Sequence, residues 1–312
     1  VDFAQNGVGR ERITLKGAAG TKVVVRHSEF LNDNNGEYNR GNDGPEGTPY
    51  YKNLRAARAE MHYTLAGNDT ETIRSLFSFY GYRYIAVTVT KKVEIASIAS
   101  EIINSVPNGA DTGYLETTNA LINRLIKNCR WGHYGNYLSV PTDCPQRNER
   151  LGWTADTQVF SGAAAYDGVS YGFLQKFMRD MRDGQGPEGG FPGVAPYAQY
   201  GNNRVKVGWG DAAIIVPYKM WKAYGDTTII RENYEGMYRY MILLEQINGP
   251  VPCWGDWLAY ERNDGDIQRY LGCAYYVWDA MLMSEMAAAI GDEEGVARFK
   301  EMEKWGRAAV SY

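Results

Sequence analysis

The chain has 312 residues, of which 44% are hydrophobic and 22% charged, and its formal net charge is −4 at pH 7. This composition is ordinary for a globular protein, and the length suits one large or two medium domains. A mildly negative chain is a poor partner for nucleic acid or an anionic membrane, and no apolar run approaches the roughly twenty residues that span a bilayer, so we expect neither partner.

The first part of the chain shows the pattern of short strands. Apolar and polar residues alternate, between polar turns, at 12–16, 22–26, 60–65 and 83–89. Several such strands favour an antiparallel β-sandwich, which we place at residues 1–92. The chain opens on Val1-Asp2-Phe3, which looks like the middle of a strand, so we expect it to begin inside a longer protein.

After residue 92 the apolar residues recur at steps of three or four, which is typical of helices. This pattern predicts seven helices, near residues 117–127, 158–166, 170–181, 211–224, 228–247, 268–289 and 293–310. Gly225, Gly249 and Gly291 follow three of them, as expected at helix C-termini. Helices that alternate with long loops rich in Gly, Pro and aromatic residues favour a toroid, so residues 93–312 are predicted to form a helical domain with a pocket at one end.

The cysteines and histidines give little sign of a metal site. Cys129, Cys144, Cys253 and Cys273 show no CxxC spacing, and the three histidines are scattered. Aspartates and asparagines between residues 33 and 43 lack the regular spacing of a calcium loop. We therefore expect no metal and no cofactor. Location stays open between periplasmic, secreted and cytoplasmic, because the cysteine pattern does not decide the redox compartment.

One segment, residues 142–156, concentrates charge. It holds three carboxylates, two arginines and a tryptophan, namely Asp143, Glu149, Asp156, Arg147, Arg150 and Trp153. Pro145 disfavours a helix at its start, and Gly152 lets the backbone turn near its end. Buried carboxylates need partners, which the arginines can supply. Such a cluster beside an indole favours sugar chemistry, in which one carboxyl is protonated, others bind hydroxyls and a flat ring covers the apolar face of the sugar.

The run Asp143–Trp153 (DCPQRNERLGW) resembles the signature of bacterial α-L-rhamnosidases of glycoside hydrolase family seventy-eight. Other stretches resemble the same family in the same order, namely 2–6, 26–29, 79–84, 128–131, 135–137, 208–212 and 255–258. The resemblance implies an α+β multidomain protein. Its antiparallel β-sandwich would be followed by an (α/α)₆ toroid that is incomplete in this chain.

The resemblance implies hydrolysis of terminal α-L-rhamnose with inversion of configuration, and it implies a role for each matching residue. Glu149 is implied as the general acid. Substrate contacts are implied or considered at Asp143, Arg147, Trp153, Asp156, Trp209, Asp211, Asp256 and Trp257. Of these, Asp211 and Asp256 could equally cap helices. The expected substrate is a rhamnosylated small molecule or polysaccharide.

A general acid must hold its proton near neutral pH. We expect repulsion from Asp143 and Asp156, and desolvation beside Trp153, to raise the pKa of Glu149 more than the arginines lower it. An inverting enzyme also needs a second carboxylate, about 6.5–9.5 Å from the first, to activate water. The resemblance places this base in a Trp-Glu segment that does not follow Glu149 here, so we expect it beyond residue 312 and expect the chain alone to be inactive.

Alternative interpretations stay open from the residues. Asp143 could cap a helix or form an Asx turn, and Arg147 could be a structural partner of Asp156. The rival functions are another enzyme on the same toroid, either a polysaccharide lyase or an unsaturated-glucuronide hydrolase, and a non-catalytic sugar-binding module. A lyase would need a Tyr/His or Asn/His pair, and the histidines lie outside the acidic segment. A homodimer is left open.

Overall fold

The computed structural model describes residues 1–33, 41–106, 113–199, 204–247, 260 and 265–310. They belong to two compact units. The first unit is residues 1–107 with 115–150, and the second is residues 108–114 with 151–312.

Antiparallel strands are the main secondary structure of the first unit. They are β1 (Asp2–Gly17), β2 (Lys22–Ser28), β3 (Phe30–Leu31), β4 (Pro49–Tyr50), β5 (Glu60–Thr64), β6 (Glu71–Arg74), β7 (Tyr80–Val89), β8 (Val93–Ile102), β9 (Tyr137–Leu138) and β10 (Val140–Pro141). A short 3₁₀ helix (Lys52–Leu54) and the helix α1 (Ala120–Asn136) also lie here. The four predicted strands correspond to parts of β1, β2, β5 and β7, so the antiparallel β-structure is confirmed.

The main sheet is built around the long strand β1. The strand order is β5-β2-β7-β1-β6, and β8 also pairs with β1. β7 pairs with the first half of β1, as in Gly9↔Tyr80, whereas β6 pairs with its second half, as in Leu15↔Glu71. Successive side chains of a strand point to opposite faces, and the inward set of this sheet forms one apolar core that includes Ile13, Leu15, Val23, Val25, Ile73 and Ile85.

Strands continue beyond residue 92, where the apolar pattern predicted a change to helices. β8 pairs with β1 from Gly17↔Val93 to Gly9↔Ile102. The side chains of β8 are all exposed or half-buried. Because neither face of the strand is fully buried, its sequence need not alternate strictly between apolar and polar residues, and the strand could not be predicted from that pattern. The prediction of helical structure directly after residue 92 is therefore wrong. The domain boundary itself stays a prediction, and β8 favours one after Ile102.

Six helices make up most of the described part of the second unit. They are α2 (Thr154–Asp167), α3 (Tyr171–Asp183), α4 (Ala212–Tyr224), α5 (Thr228–Gln246), α6 (Gly265–Ile290) and α7 (Glu293–Val310). Gly225 ends α4 with φ 72° and Gly291 follows α6 with φ 83°, the left-handed conformation expected of a helix-ending glycine. Gly249 lies outside the described residues. None of the helices described is both long and apolar enough to cross a membrane.

Burial separates the inner helices of the second unit from the outer ones. Residues 212–217 of α4 are all buried, and α4 packs against α2, α3, α5 and α6. In contrast, α3 buries a single stripe, Leu174, Phe177, Met178 and Met181, whose spacing marks one face of a helix. The predicted alternation of helices in a toroid-like arrangement is confirmed. The helix predicted near 117–127 differs, because it begins after Asn119, which caps it, and it lies in the first unit as α1.

Candidate active site

The part of the charged segment that belongs to the first unit is a loop that packs against the start of β7. It follows the small β9–β10 ribbon, and no helix occurs between residues 142 and 153, so helix capping does not account for Asp143. Gly81 of β7 allows the loop to lie close to the strand. A Cβ at position 81 would meet the Cβ of Gln146 at 2.8 Å. The Arg150 guanidinium lies 4.5 Å from the ring centre of Phe79. These two contacts lie at the start of β7 and directly before it, and they hold the middle and the end of the loop there.

Four side chains of this segment contact one another. The Cys144 thiol donates to Asp143 Oδ2 at 2.9 Å, and Arg147 Nε donates to Cys144 Sγ at 3.0 Å. Arg147 Nη2 lies 2.8 Å from Glu149 Oε2 and 3.9 Å from Asp143 Oδ2. We call Asp143, Cys144, Arg147 and Glu149 the acid cluster. It brings together the predicted acid and two of the predicted sugar-binding residues.

A further arginine reaches the acid cluster from a distant part of the chain. Arg55, which ends the 3₁₀ helix, places Nη1 at 3.1 Å from Glu149 Oε2. Its backbone has φ 56°, an uncommon conformation for a residue with a side chain and one that clusters at functional sites. Glu149 Oε2 thus contacts two guanidinium groups. Asp143 is nine-tenths buried, and its Oδ1 makes no hydrogen bond within the described residues.

The two carboxyls of the acid cluster have opposite pKa shifts. Burial raises the pKa of Asp143, and the nearby charge of Glu149 adds to this. Burial also raises the pKa of Glu149, but a hydrogen bond from Asp143 and the charges of Arg147 and Arg55 outweigh it, so the net shift is downward. The expected rise at Glu149 is therefore wrong for this structure. The physical reason is that the hydrogen bond from Asp143 and the charges of Arg147 and Arg55 favour the ionised form of Glu149 more than burial disfavours it.

The acid cluster also offers three potential metal ligands. The ligand atoms of Asp143, Cys144 and Glu149 lie within 4.8 Å of one another. The guanidinium groups of Arg147 and Arg55 already contact this set. Their positive charge disfavours a second cation there, so we assign no metal to the cluster.

Trp153 and Asp156 lie in the second unit, at the start of α2. Trp153 forms an isolated antiparallel bridge with Val194, and Thr154 N donates to Gly193 O at 3.0 Å. Asp156 lies in the first turn of α2, where a carboxylate is favoured by the helix dipole. Gly152 is required because its backbone lies close to that of Ala195, and not because the chain turns there. A Cβ at position 152 would meet Ala195 O at 2.1 Å.

Trp209 and Asp211 lie in the turn that leads into α4. Asp211 is fully buried. It accepts a hydrogen bond from Gly208 N–H, and Tyr240 Oη donates to its Oδ1 at 3.3 Å. The side chain of Asp211 does not cap α4. A direct sugar contact for Asp211 stays an untested prediction that its burial disfavours. Asp256 and Trp257 lie outside the described residues.

Family comparisons cover nearly the whole chain. The bacterial α-L-rhamnosidase six-hairpin glycosidase domain matches residues 110–311, and the bacterial α-L-rhamnosidase concanavalin-like domain matches residues 1–104. The chain belongs to the bacterial α-L-rhamnosidase family.

Individual rhamnosidases agree with this assignment. An α-L-rhamnosidase of Streptomyces avermitilis is 37% identical over 298 residues, which are 94% of this chain and 27% of the relative. The crystal structure of an α-L-rhamnosidase from that organism, complexed with L-rhamnose, has a TM-score of 0.86 at 36% identity over 99% of this chain and 29% of its own. The α-L-rhamnosidase from Dictyoglumus thermophilum has a TM-score of 0.86 at 26% identity over 99% of this chain and 34% of its own. The chain therefore spans about a third or less of each relative.

Three residues that the sequence did not single out make important contacts in the structure. Cys144 stood inside the family motif but was weighed only as a metal ligand. Arg55 gave no signal, because it lies 94 positions from its partner Glu149. Asp279 is fully buried and contacts Asp211. An acidic residue alone in the apolar stretch Tyr275–Met283 could have indicated a buried partner.

Proposed function

We propose that the protein containing this chain hydrolyses terminal α-L-rhamnosides with inversion of configuration, and that Glu149 is the general acid. The observation that carries this proposal is the acid cluster, which combines the implied acid with a buried carboxyl and Arg147 in the segment that matches the family signature, and which Arg55 contacts from outside that segment. The Streptomyces avermitilis relative whose structure contains L-rhamnose supports the same sugar here. The rhamnosylated substrate is a small molecule or a polysaccharide.

The reaction needs a proton on Glu149 at the moment the glycosidic bond breaks. The pKa of Asp143 is raised, while Arg147 and Arg55 help to lower that of Glu149. A glycoside whose oxygen lies against Glu149 would separate it from Arg55, and loss of that positive charge would favour protonation of Glu149. The proton then passes to the glycosidic oxygen as the bond to the sugar breaks. Water adds from the opposite face and loses its proton to a carboxylate that we expect beyond residue 312.

The remaining predicted residues have roles of different kinds. Asp143 and Arg147 would hold hydroxyls of rhamnose, and Asp143 Oδ1 has acceptor capacity for this. Trp153 and Trp209 would supply aromatic walls, and Asp156 a further acidic contact. The histidines give no support to a lyase. His27 contacts Glu11, His62 contacts Glu60, and His133 is buried against Tyr137.

Glu149→Gln in the protein that contains this chain tests the proposal. We expect turnover to fall by about a thousandfold or more for a rhamnoside with a poor alcohol leaving group. The loss should be much smaller for a dinitrophenyl rhamnoside, because that leaving group needs no proton. Glu94→Gln, an exposed position on β8, is the matched control and should leave both rates unchanged.

Two outcomes would contradict the proposal. Equal losses on both substrates would mean that Glu149 binds the sugar and does not protonate the leaving group. Absence of rhamnose release by the unmodified protein would reject the activity itself. Proton NMR of the first sugar formed distinguishes the β-anomer expected from inversion from the α-anomer that retention would produce.

A further inference from the structure

Two neighbouring residues at the end of β2, His27 and Ser28, are fully buried, and the proposed mechanism assigns them no role. We propose that they are positioning residues, which hold segment 50–59 so that Arg55 faces the carboxylate of Glu149. The inference rests on the proposed role of Glu149 as general acid and extends it to the side chains that place Arg55. All of these residues belong to the first unit.

Segment 50–59 is attached to β2 at both of its ends. At one end, Ser28 Oγ donates to Tyr50 O at 2.7 Å. At the other end, Ala59 O accepts two hydrogen bonds from His27, one from the backbone N–H at 3.0 Å and one from Nδ1 at 2.7 Å. A carbonyl cannot donate, so Nδ1 carries the proton in this contact. Because β2 lies between β5 and β7 in the sheet, both ends of the segment are held by an interior strand.

Arg55 has a backbone conformation that glycine usually adopts. Ala57 N donates to Leu54 O at 3.1 Å, which closes a turn with Arg55 at its first central position. There Arg55 has φ 56° and ψ −116°, the values of a type II′ turn, in which glycine is preferred at this position. A residue with a side chain keeps such a conformation only where surrounding contacts impose it. The contacts of His27 and Ser28 at the two ends of the segment supply this constraint.

The imidazole of His27 is itself held on several sides. Its Nε2 lies 2.7 Å from Oε2 of Glu11, which is also fully buried. The ring stacks on Tyr80 with 3.8 Å between ring centres and contacts Tyr82 edge-on at 4.8 Å. Ser75 Oγ donates to the other oxygen of Glu11 at 3.3 Å. The imidazole therefore cannot rotate without leaving a buried polar group unpaired, which is costly.

Two amide substitutions in the protein that contains this chain separate the roles of the two ring nitrogens. Gln places its amide near Nε2 and can keep the contact with Glu11, whereas Asn places its amide near Nδ1 and can keep the contact with Ala59. We expect His27→Gln to release Arg55 from Glu149 and to move the alkaline limb of kcat/KM by about half a pH unit upward, or about threefold in kcat/KM on that limb. His27→Asn should leave the limb in place. It should nevertheless have the lower thermal midpoint, because Glu11 loses a donor.

Ser28→Ala tests the other end of the segment and decides the matter if His27→Gln does not fold. It removes the donor to Tyr50 O and should move the limb in the same direction. In the double variant His27→Gln/Arg55→Gln, the limb should lie where Arg55→Gln alone places it, since both changes act through one guanidinium. His62→Gln, at an exposed position on β5, is the matched control and should leave the profile unchanged. The substrate throughout is a rhamnoside with a poor leaving group.

Three results would overturn the positioning role while the rhamnosidase activity stands. The first is a limb that stays in place in a folded His27→Gln or in Ser28→Ala. The second is an equal shift in His27→Gln and His27→Asn or in the control, and the third is a double variant that shifts further than Arg55→Gln alone. If the unmodified protein releases no rhamnose, the proposed function fails and the positioning role fails with it.

Discussion

At the scale of single residues, the charge around Glu149 separates the pKa values of two neighbouring carboxyls. Two arginines face its Oε2, at 2.8 Å for Arg147 and 3.1 Å for Arg55. Opposite charges at such distances favour the ionised carboxylate. Asp143 is the more buried of the two carboxyls, and burial favours its neutral form. The acid cluster thus resembles other carboxyl pairs in which unequal surroundings separate two proton affinities.

Arg55→Gln should move the alkaline limb of the pH–rate profile to higher pH. Arg55 lowers the pKa of Glu149, and the acid step requires protonated Glu149. Removing the cation raises that pKa, so activity persists further into the alkaline range. The measurement is kcat/KM for a poor-leaving-group rhamnoside across pH.

Arg58→Gln is the control for this prediction. It removes the same charge from an exposed residue three positions along the chain, and no contact joins Arg58 to the acid cluster among the described residues. Its pH profile should match that of the unmodified protein. An alkaline limb that stays in place in Arg55→Gln, or moves equally in Arg58→Gln, would show that the 3.1 Å contact does not control Glu149.

At the scale of elements, backbone pairing fixes the start of α2. Gly152 and Ala195 pair through Ala195 N→Gly152 O at 2.9 Å, next to the Trp153↔Val194 bridge. This short strand-like contact positions Trp153 directly before the first turn of α2. The approach is possible only because Gly152 lacks a side chain.

Gly152→Ala should destabilise the helical unit by about 2 kcal/mol, because an added Cβ at 2.1 Å from Ala195 O forces the paired backbones apart. Urea unfolding measures the change. Gly172→Ala is the matched control in α3, where an added Cβ meets nothing within 4 Å. There the substitution should be neutral or stabilise by about 0.5–1 kcal/mol. Equal effects at the two positions would contradict the close-approach argument.

At the scale of the whole molecule, the helical unit buries a polar network among its helices. Asp211 at the start of α4 contacts Asp279 of α6 and accepts a hydrogen bond from Tyr240 of α5. Gln158 of α2 donates to Tyr275 of α6 at 3.1 Å. Burial raises the pKa of Asp279 well above its ordinary value, and the charge of Asp211 adds to this. The protonated form of Asp279 is therefore favoured, and in that form it can donate a hydrogen bond to Asp211.

Stability should depend on pH through Asp279. The folded state binds this proton more tightly than the unfolded state, so the contribution to the free energy of unfolding is largest in acid and falls as pH rises above about 4. Asp279→Asn keeps a donor toward Asp211 but removes the titration. The free energy of unfolding of Asp279→Asn, taken relative to that of the unmodified protein, should increase steadily from pH 4 to pH 8.

Asp279→Leu separates the loss of titration from the loss of the donor. It leaves Asp211 buried without that hydrogen bond and should cost about 3 kcal/mol at neutral pH. Urea unfolding of both variants across the pH range makes the comparison. The contrary outcome is that the free energies of unfolding of Asp279→Asn and of the unmodified protein differ by the same amount at every pH. That result would mean that folding does not shift the pKa of Asp279.

Local pattern was sufficient for most of the secondary structure and for the acid cluster. The strands β1, β2, β5 and β7 and the helices of the second unit follow periods of two and about 3.6, which depend only on neighbouring residues. Asp143, Arg147 and Glu149 come together because they lie within seven positions in one loop. Where burial was incomplete, as along β8, the pattern was too weak to predict the strand.

Contacts between distant parts of the chain decided the rest, because electrostatic and steric effects depend on distance in space. No period links Arg55 to Glu149 or Asp211 to Asp279, and so neither the lowered pKa of Glu149 nor the buried carboxyl pair could be predicted. The sequence by itself determined the family, the antiparallel and helical classes and the identity of the acid cluster. Only the tertiary structure decided which carboxyl has the raised pKa, why Gly152 is required and how Arg55 comes to lie beside the acid.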